Sequence, residues 1–467
     1  MPRFRPFFIV IILAFSATLA RADYHYASHT GSNTYPYTSW ETAAEIIDSA
    51  VYASSPHDTI YIGAGDYNQL VRMRTQDSCM TFIGAGIDST HCWTSEPHIL
   101  WMAANRTVAQ DIFFQHSGTY AVVCFSSQTF SESIIAKGCK FTGGTGVAGA
   151  GDSTKVEDCI FINCDNAVDA SFGVRKLVFR NNYFKTTINP TVFSTYFSKG
   201  IIENNIFVFD HYQPLGEFFA DPGPADTLIF CNNYVDNFTT GPDIVGTRLG
   251  LVFNNTVRRA VRWYDYYAYN IRDDHDSVNV TLKNNIASEC GYGVSAVHFN
   301  NYIHHLSIAY SGFYDNPYGD ISLYNWAWED IDTIGNIDAF PMYANPDSFD
   351  VHLQAYSPFI DAGDPDILDV DGTRSDIGCY GGPGGCSYTY LDLAPKAPDS
   401  LRAFVDTLGI NITWRNNYEA DFNRYQVFRD TFPGFSPSVF NQIAEPETSL
   451  YLDTNINPGT SYFYRLT

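Results

Sequence analysis

Five times between residues 176 and 287 the sequence repeats one short design: an apolar residue, a variable one, two asparagines, then apolar residues again. The copies are Phe179-Arg180-Asn181-Asn182-Tyr183, Ile202-Glu203-Asn204-Asn205-Ile206, Phe230-Cys231-Asn232-Asn233-Tyr234, Val252-Phe253-Asn254-Asn255-Thr256 and Leu282-Lys283-Asn284-Asn285-Ile286. Their first asparagines are 23, 28, 22 and 30 residues apart, the spacing of a solenoid. Weaker copies at Asp158-Cys159-Ile160-Phe161, Gly138-Cys139-Lys140-Phe141 and Asp111-Ile112-Phe113-Phe114 extend the pattern towards the amino terminus. A unit this small cannot bury enough apolar surface alone, so it must stack on its neighbours.

Two places before each first asparagine stand Phe179, Ile202, Phe230, Val252 and Leu282, while the place between them varies freely. That alternation is a strand with one face buried. Leucine-rich repeats would need regular leucines and helical segments, whereas these copies are rich in Phe, Ile, Val and Asn, so parallel coils of strand are expected. Asparagine suits a coil corner because it tolerates left-handed backbone angles and its amide bonds both its own turn and the amide stacked above. On these residues the chain resembles the right-handed parallel β-helix superfamily, the pectate-lyase-like fold, over roughly residues 23–385, within a domain expected to span 23–390. The resemblance implies an all-β solenoid of about ten coils, roughly 50 Å long at about 4.8 Å per coil.

Arg3 and Arg5 precede an apolar run over residues 7–15, and Ala20-Arg21-Ala22 offers small residues for cleavage. This reads as a secretory signal peptide over residues 1–22, placing the protein outside the cell or on its surface, with no membrane-spanning segment in the mature chain. Losing the leader's three arginines leaves 24 basic against 51 acidic residues, a net charge of −27. Nucleic acid and other polyanions are therefore disfavoured as partners of the surface as a whole. Residues 38–51 place Trp40, Ala43, Ala44, Ile47 and Val51 on one helical face, which predicts an amphipathic helix covering the first coil's open edge.

After a proline-bearing linker at residues 391–399, the sequence resembles a fibronectin type III domain over residues 400–467. Trp414 stands at its core and Tyr462 at its corner. The span is shorter than the roughly 100 residues of such a sandwich, so the sequence is expected to be a fragment of a longer chain, this module being an incomplete β-sandwich.

The richest chemistry lies in residues 258–276. Sugars combine an apolar face with a rim of hydroxyls, so a saccharide groove needs aromatic platforms beside polar donors and acceptors. Arg258, Arg262, Trp263, Tyr264, Tyr266 and Arg272 are the candidate binding residues, with arginine suited to a uronate carboxylate. Asp265, Asp273, Asp274 and His275 are the candidate carboxylates and proton carrier for hydrolysis. The alternative is that these aromatics pack their loop onto the solenoid while the charges face water.

Polygalacturonases carry Asn-Thr-Asp, a paired Asp, Gly-His-Gly and Arg-Ile-Lys; only the paired Asp has a match here, at Asp273-Asp274. The Trp-Ile-Asp-His motif of calcium pectate lyases is also lacking, so no catalytic residue is carried over from either family. Asp364, Asp366, Asp369 and Asp371 crowd around a turn at Gly372, a set of hard oxygens suited to calcium. The alternative there is an acidic turn bonding its own backbone. Cys379 and Cys386 bracket a glycine-rich loop and form the best disulfide candidate.

Two functions fit. One is a secreted protein that binds or degrades a polysaccharide or cell-surface glycan, as a lyase or glycoside hydrolase if it is an enzyme. The other is a non-catalytic surface or adhesion protein with the solenoid as platform.

Overall fold

The computed structural model describes residues 22–74, 77–95, 99–101, 106–116, 121–125, 133–149, 151–188, 191–210, 217–219, 225–245, 247–260, 266–272, 279–297, 305–325 and 331–467. Residues 1–21, all but the last of the expected signal peptide, lie outside that set. The chain winds into a parallel β-solenoid. One side is a 12-stranded parallel sheet running from Gly65–Asn68 to Ile337–Asp338, one strand per winding, against about ten coils expected. The strands entering the asparagine corner belong to an 18-stranded sheet. In two windings, Asn166–Arg180 and Thr191–Glu203, the third side runs straight on into the strand before the corner.

The register places Phe179 beside Ile202, Ile202 beside Phe230, Phe230 beside Val252 and Val252 beside Leu282. All five are at most 1% exposed, so the inward row is the one the alternation predicts. Rings stack between windings on the next side too, Phe114 on Phe141 at 5.5 Å and Phe141 on Phe161 at 4.8 Å between centroids. Cys139 and Cys159, two residues before Phe141 and Phe161, are buried with free thiols, and Cys159 N–H donates to Asn182 Oδ1 at 2.8 Å.

The two asparagines of each pair divide the work expected of one. Asn181, Asn204, Asn232, Asn254 and Asn284 have φ of 56°, 57°, 54°, 51° and 57°, the left-handed conformation that turns the corner. Asp111, Gly138 and Asp158 hold that conformation at the equivalent corner of earlier windings. The second asparagine forms the ladder. Asn205 Oδ1 accepts from the backbone N–H of Asn182 at 2.8 Å and from its Nδ2 at 3.1 Å, and the pattern repeats from Asn205 to Asn233, Asn233 to Asn255 and Asn255 to Asn285. Each Nδ2 also reaches the carbonyl of an inward strand residue one winding back, as Asn233 does to Ile202 at 2.8 Å. Ser311 and Asn336 continue the column in the last windings.

The amino-terminal cap differs from the expected helix. Only Ile47–Ala53 is helical, burying Ile47, Ala50 and Val51. The residues before it meet the first strand, Tyr24–Ala27, at two points joined by a turn: Tyr26 N–H donates to Tyr37 O at 2.8 Å, Ala44 N–H to Tyr26 O at 2.8 Å and Ser28 N–H to Ala44 O at 2.7 Å. An open strand edge needs backbone partners, which a helix cannot supply because its own bonds are internal. The edge is therefore partnered at Tyr37 and Ala44, on either side of a turn over residues 39–42, and Trp40 in that turn ends up 46% exposed instead of buried.

Beyond Ile337–Asp338 the chain leaves the solenoid and folds back along its outside. An antiparallel pair, Tyr343–Asn345 with Asp350–Leu353, packs with Phe359, Ile377 and Cys379 on the outward faces of Val208, Tyr234 and Ile286, forming a second core. The following strap crosses the outer asparagines in turn. Asn284 Oδ1 accepts from Asp364 N–H at 2.6 Å; Asn254 Nδ2 donates to Asp376 O at 2.9 Å; Asn232 Nδ2 donates to Gly381 O at 2.6 Å. A side chain at Gly384 would come within 2.6 Å of Asn232 Oδ1, so the glycine-rich tip allows close approach to the corner.

Residues 402–466 form two three-stranded antiparallel sheets, Arg402–Asp406, Gly409–Thr413 and Leu450–Asp453 in one, Gln442–Ala444, Val427–Asp430 and Phe463–Leu466 in the other. Ile412, Trp414, Tyr425 and Val427 are their core. Tyr462 Oη accepts from Asn457 N–H at 2.9 Å, a tyrosine tied to backbone five residues upstream.

Candidate functional site

The later windings have a separate third side, a four-stranded parallel sheet of Asp243–Val245, Tyr267–Arg272, Tyr292–Val297 and Gly319–Tyr324. Its second strand lies inside the aromatic and arginine-rich stretch. Tyr267 is in register with Tyr292, and Tyr292 with Gly319. Glycine at 319 leaves the space above the Tyr292 ring to its neighbour Tyr318. The rings of Tyr267, Tyr292 and Tyr318 follow one another at 5.4 and 5.5 Å between centroids. Tyr318 is 59% exposed; Tyr324, aligned through Val297 with Arg272, is 60% exposed. Asn270 Nδ2 donates to Asp243 Oδ1 at 2.8 Å, tying the first two strands together.

Arg258 is not part of that surface. It ends the strand Thr256–Arg258, is 5% exposed, and reaches Glu289 Oε2 at 3.1 Å and Asp236 Oδ2 at 3.8 Å while donating to Pro346 O at 3.0 Å. Arg259 grips the same Asp236 with a two-point fork at 2.7 and 2.6 Å, and Tyr234 Oη donates to it at 2.7 Å. Burial opposes the charge on Arg258, yet Glu289 and Asp236 hold its pKa above the ordinary value. Burial, with the Asp236 charge, likewise pushes the Tyr234 hydroxyl upward. Paired buried charges of this kind carry structure: removing one partner strands the other, at about 3–5 kcal/mol. Arg258 therefore pins the returning segment at Pro346 to the solenoid instead of offering itself to a uronate.

Of the other binding candidates, Tyr266 is half-buried and its carbonyl accepts from Tyr292 N–H at 2.7 Å, while Arg272 is half-buried at the end of its strand. Arg262, Trp263, Tyr264, Asp265, Asp273, Asp274 and His275 lie outside the described residues. Tyr292, Tyr318 and Tyr324 were missed by sequence reasoning, although Tyr267, Tyr292 and Tyr318 recur at intervals of 25 and 26 residues, the solenoid's own period.

The four aspartates expected to hold calcium are not gathered. Asp364 faces Lys283 Nζ at 2.6 Å, and although burial opposes it, that contact and the N–H of Asp366 hold its carboxyl below the usual range. Asp366 donates its N–H to Asp364. Asp369 accepts from the N–H groups of Asp376 and Gly382; burial nevertheless pushes its pKa up. Asp371 accepts from the N–H and hydroxyl of Thr373, which lower it. Among the described residues no three His, Cys, Asp or Glu side chains are grouped as a metal site. The carboxylates instead serve the strap's own turns.

The disulfide expectation meets two free thiols. Cys379 is buried, with its thiol pushed by burial up to about 12, and Cys386 is exposed. They share the wall of an open groove of about 270 Å³ with Asn204, Tyr234 and Tyr380. A second concavity, of about 320 Å³, lies where Tyr314 and Phe340 meet Arg415, Asn417 and Tyr418.

No protein-family model matches this chain, and no curated protein is significantly similar to it. Among the described residues no helix is long and apolar enough to cross a membrane.

Proposed function

We propose that this chain is an exported right-handed β-helix protein of the pectate-lyase-like kind, carrying a fibronectin type III module, that binds a polysaccharide along its third side. The observation that supports the reading is the ladder of Tyr267, Tyr292 and Tyr318 with exposed Tyr324 beside it. Stacked rings on a solenoid form a row of platforms at one winding per step, which suits the apolar faces of successive sugars. Arg258 and Arg259 are committed to Asp236 and Glu289, so a neutral glycan fits this reading better than a uronate. Trp414 and the Tyr462 corner bond support the type III assignment.

The test is a glycan array followed by titration of any hit, comparing the wild type with Tyr292→Ala and Tyr318→Ala. A loss of binding of about fivefold in either variant is expected, each stacked ring contributing on the order of 1 kcal/mol. Unchanged affinity in both would sink the proposal. Assays for new reducing ends and unsaturated products, repeated with Asp273→Ala, separate binding from degradation. The second reading, a non-catalytic surface or adhesion protein with the solenoid as platform, is favoured by the burial of Arg258 and the missing catalytic signatures. Binding without product selects it.

A further inference from the structure

We infer that the amino-terminal end of the solenoid is a second saccharide-binding platform, built from Tyr24, Tyr26, Tyr61 and Trp40. In the strands Tyr24–Ala27 and Thr59–Ile62 the buried residues are His25, Ala27, Ile60 and Ile62, so Tyr24, Tyr26 and Tyr61 all point outward. Tyr26 and Tyr61 are register partners whose rings stack at 5.5 Å and 22°; Tyr24 sits 5.8 Å from Tyr61; Trp40 meets Tyr26 at 4.7 Å with its plane turned by 64°. The result is an outward-facing cluster of four rings in which Tyr24 is tilted by 46° to Tyr61 and Trp40 stands edge-on to Tyr26. Tyr24 is 53% exposed, and Tyr35, 69% exposed, stands nearby against Tyr37, whose carbonyl accepts from Tyr26 N–H.

Ring contacts between neighbouring windings would also hold the first two coils together, but phenylalanine or leucine would serve that purpose. The hydroxyls add a polar rim that those residues would lack. Buried tyrosines of this protein spend theirs on the fold: Tyr67 donates to Gly63 O at 3.0 Å, Tyr234 to Asp236 at 2.7 Å and Tyr269 to Ile286 O at 3.2 Å. Among the described residues, the hydroxyls of Tyr24, Tyr26 and Tyr61 and the indole N–H of Trp40 make no hydrogen bond. A surface of ring faces edged by uncommitted donors and acceptors matches a sugar, which offers C–H groups on one face and hydroxyls around its rim. It fits an apolar helix or a lipid tail less well, since those would leave the hydroxyls unpaired.

This platform precedes the first strand of the 12-stranded sheet, and Tyr267 follows its ninth. The two tyrosine rows are therefore eight windings apart, roughly 40 Å at about 4.8 Å each. The first row lies on the 18-stranded side and the second on the four-stranded side, so separate chains of a fibre would engage them. The second contact then acts at high effective concentration.

The experiment is depletion of the full-length protein from solution by insoluble xylan, cellulose and chitin particles, with matched oligosaccharides titrated in parallel. The variants are the pair Tyr61→Ala with Trp40→Ala, the milder Trp40→Phe, and Tyr292→Ala with Tyr318→Ala, each checked for an unchanged thermal midpoint. Expected is a drop in partition of tenfold or more for the Tyr61/Trp40 pair, rescue by Trp40→Phe, and retained oligosaccharide binding at the third side. If the Tyr61/Trp40 pair partitions like wild type while Tyr292/Tyr318 loses binding, the platform is refuted and the third-side reading stands. The reverse pattern keeps the platform and removes the third-side site. Failure of the wild type to partition onto any of the three polymers overturns the inference. Should the pair unfold, Trp40→Phe together with Tyr24→Ala carries the same comparison without deleting the stacked partner of Tyr26.

Discussion

The two asparagine columns stand one residue apart and do opposite things. The outer set, Asn181 to Asn284, is chosen for its backbone, which must be left-handed; the inner set, Asn182 to Asn285, is chosen for its amide, which must be buried and fully bonded. Identity of residue type thus conceals two separate demands. Substitutions should separate them, because glycine satisfies the first demand, whereas the second needs a side chain that both accepts and donates, an amide in these five windings and the Ser311 hydroxyl in a later one.

The largest effect is expected for Asn233→Ala. Its Oδ1 serves two donors of Asn205, and its Nδ2 serves Ile202 O and Asn255. Leaving those buried groups unpaired costs about 1–3 kcal/mol each, so chemical denaturation should show a loss of several kcal/mol. Asn254→Ala comes next. It loses the bonds to Ser375 and Asp376 and must hold a left-handed corner with a Cβ, at about 1–2 kcal/mol for the backbone alone. Its signature is faster proteolysis of residues 363–386 than of the solenoid.

A pH test of the strap is expected to give a smaller effect. Burial pushes Asp376 up to about 6, while the N–H of Asp361 and the hydroxyl of Tyr390 oppose the shift and the charges of Asp369 and Asp361 add to it. The folded state therefore holds a proton that the unfolded chain releases near pH 4. This contribution is fully present below about pH 4 and disappears as pH rises through 6. Hydrogen exchange in the strap should slow on acidification across that window, and Asp376→Asn should flatten the dependence. Asp364 acts in the opposite sense, since its lowered pKa supplies stability that is lost on further acidification. The smallest effect belongs to Asn181→Gly: glycine adopts the corner freely, and only an exposed bond to Asp158 is lost. A change above about 1 kcal/mol there would show that Asn181, like Asn232, Asn254 and Asn284 under the strap, is held by its side chain.

Legibility followed the range of the interactions. The inward row from Phe179 to Leu282 and the left-handed corners are local consequences of each repeat, and both were visible in the sequence. The amino-terminal helix was overdrawn because its pattern says nothing about the open edge of Tyr24–Ala27, which takes Tyr37 and Ala44 as its backbone partners. Arg258 looked like a ligand-binding residue for the same reason: Asp236 is 22 residues away, and Glu289 lies a winding further on. The strap was invisible as such, since Asn254 meets Asp376 across 122 residues and no local pattern announces that bond. The tyrosine ladder was legible in principle, because Tyr267, Tyr292 and Tyr318 keep the repeat's own interval.

The strap also acts as a gauge. It touches Asn284, Asn254 and Asn232 in reverse order, at sites 17 residues apart or fewer along its own length. Duplicating a coil upstream of Asn204 leaves those three meeting points aligned, but inserting one between Asn232 and Asn284 would put every later contact out of step. The barrel can lengthen at its front and not beneath its clasp.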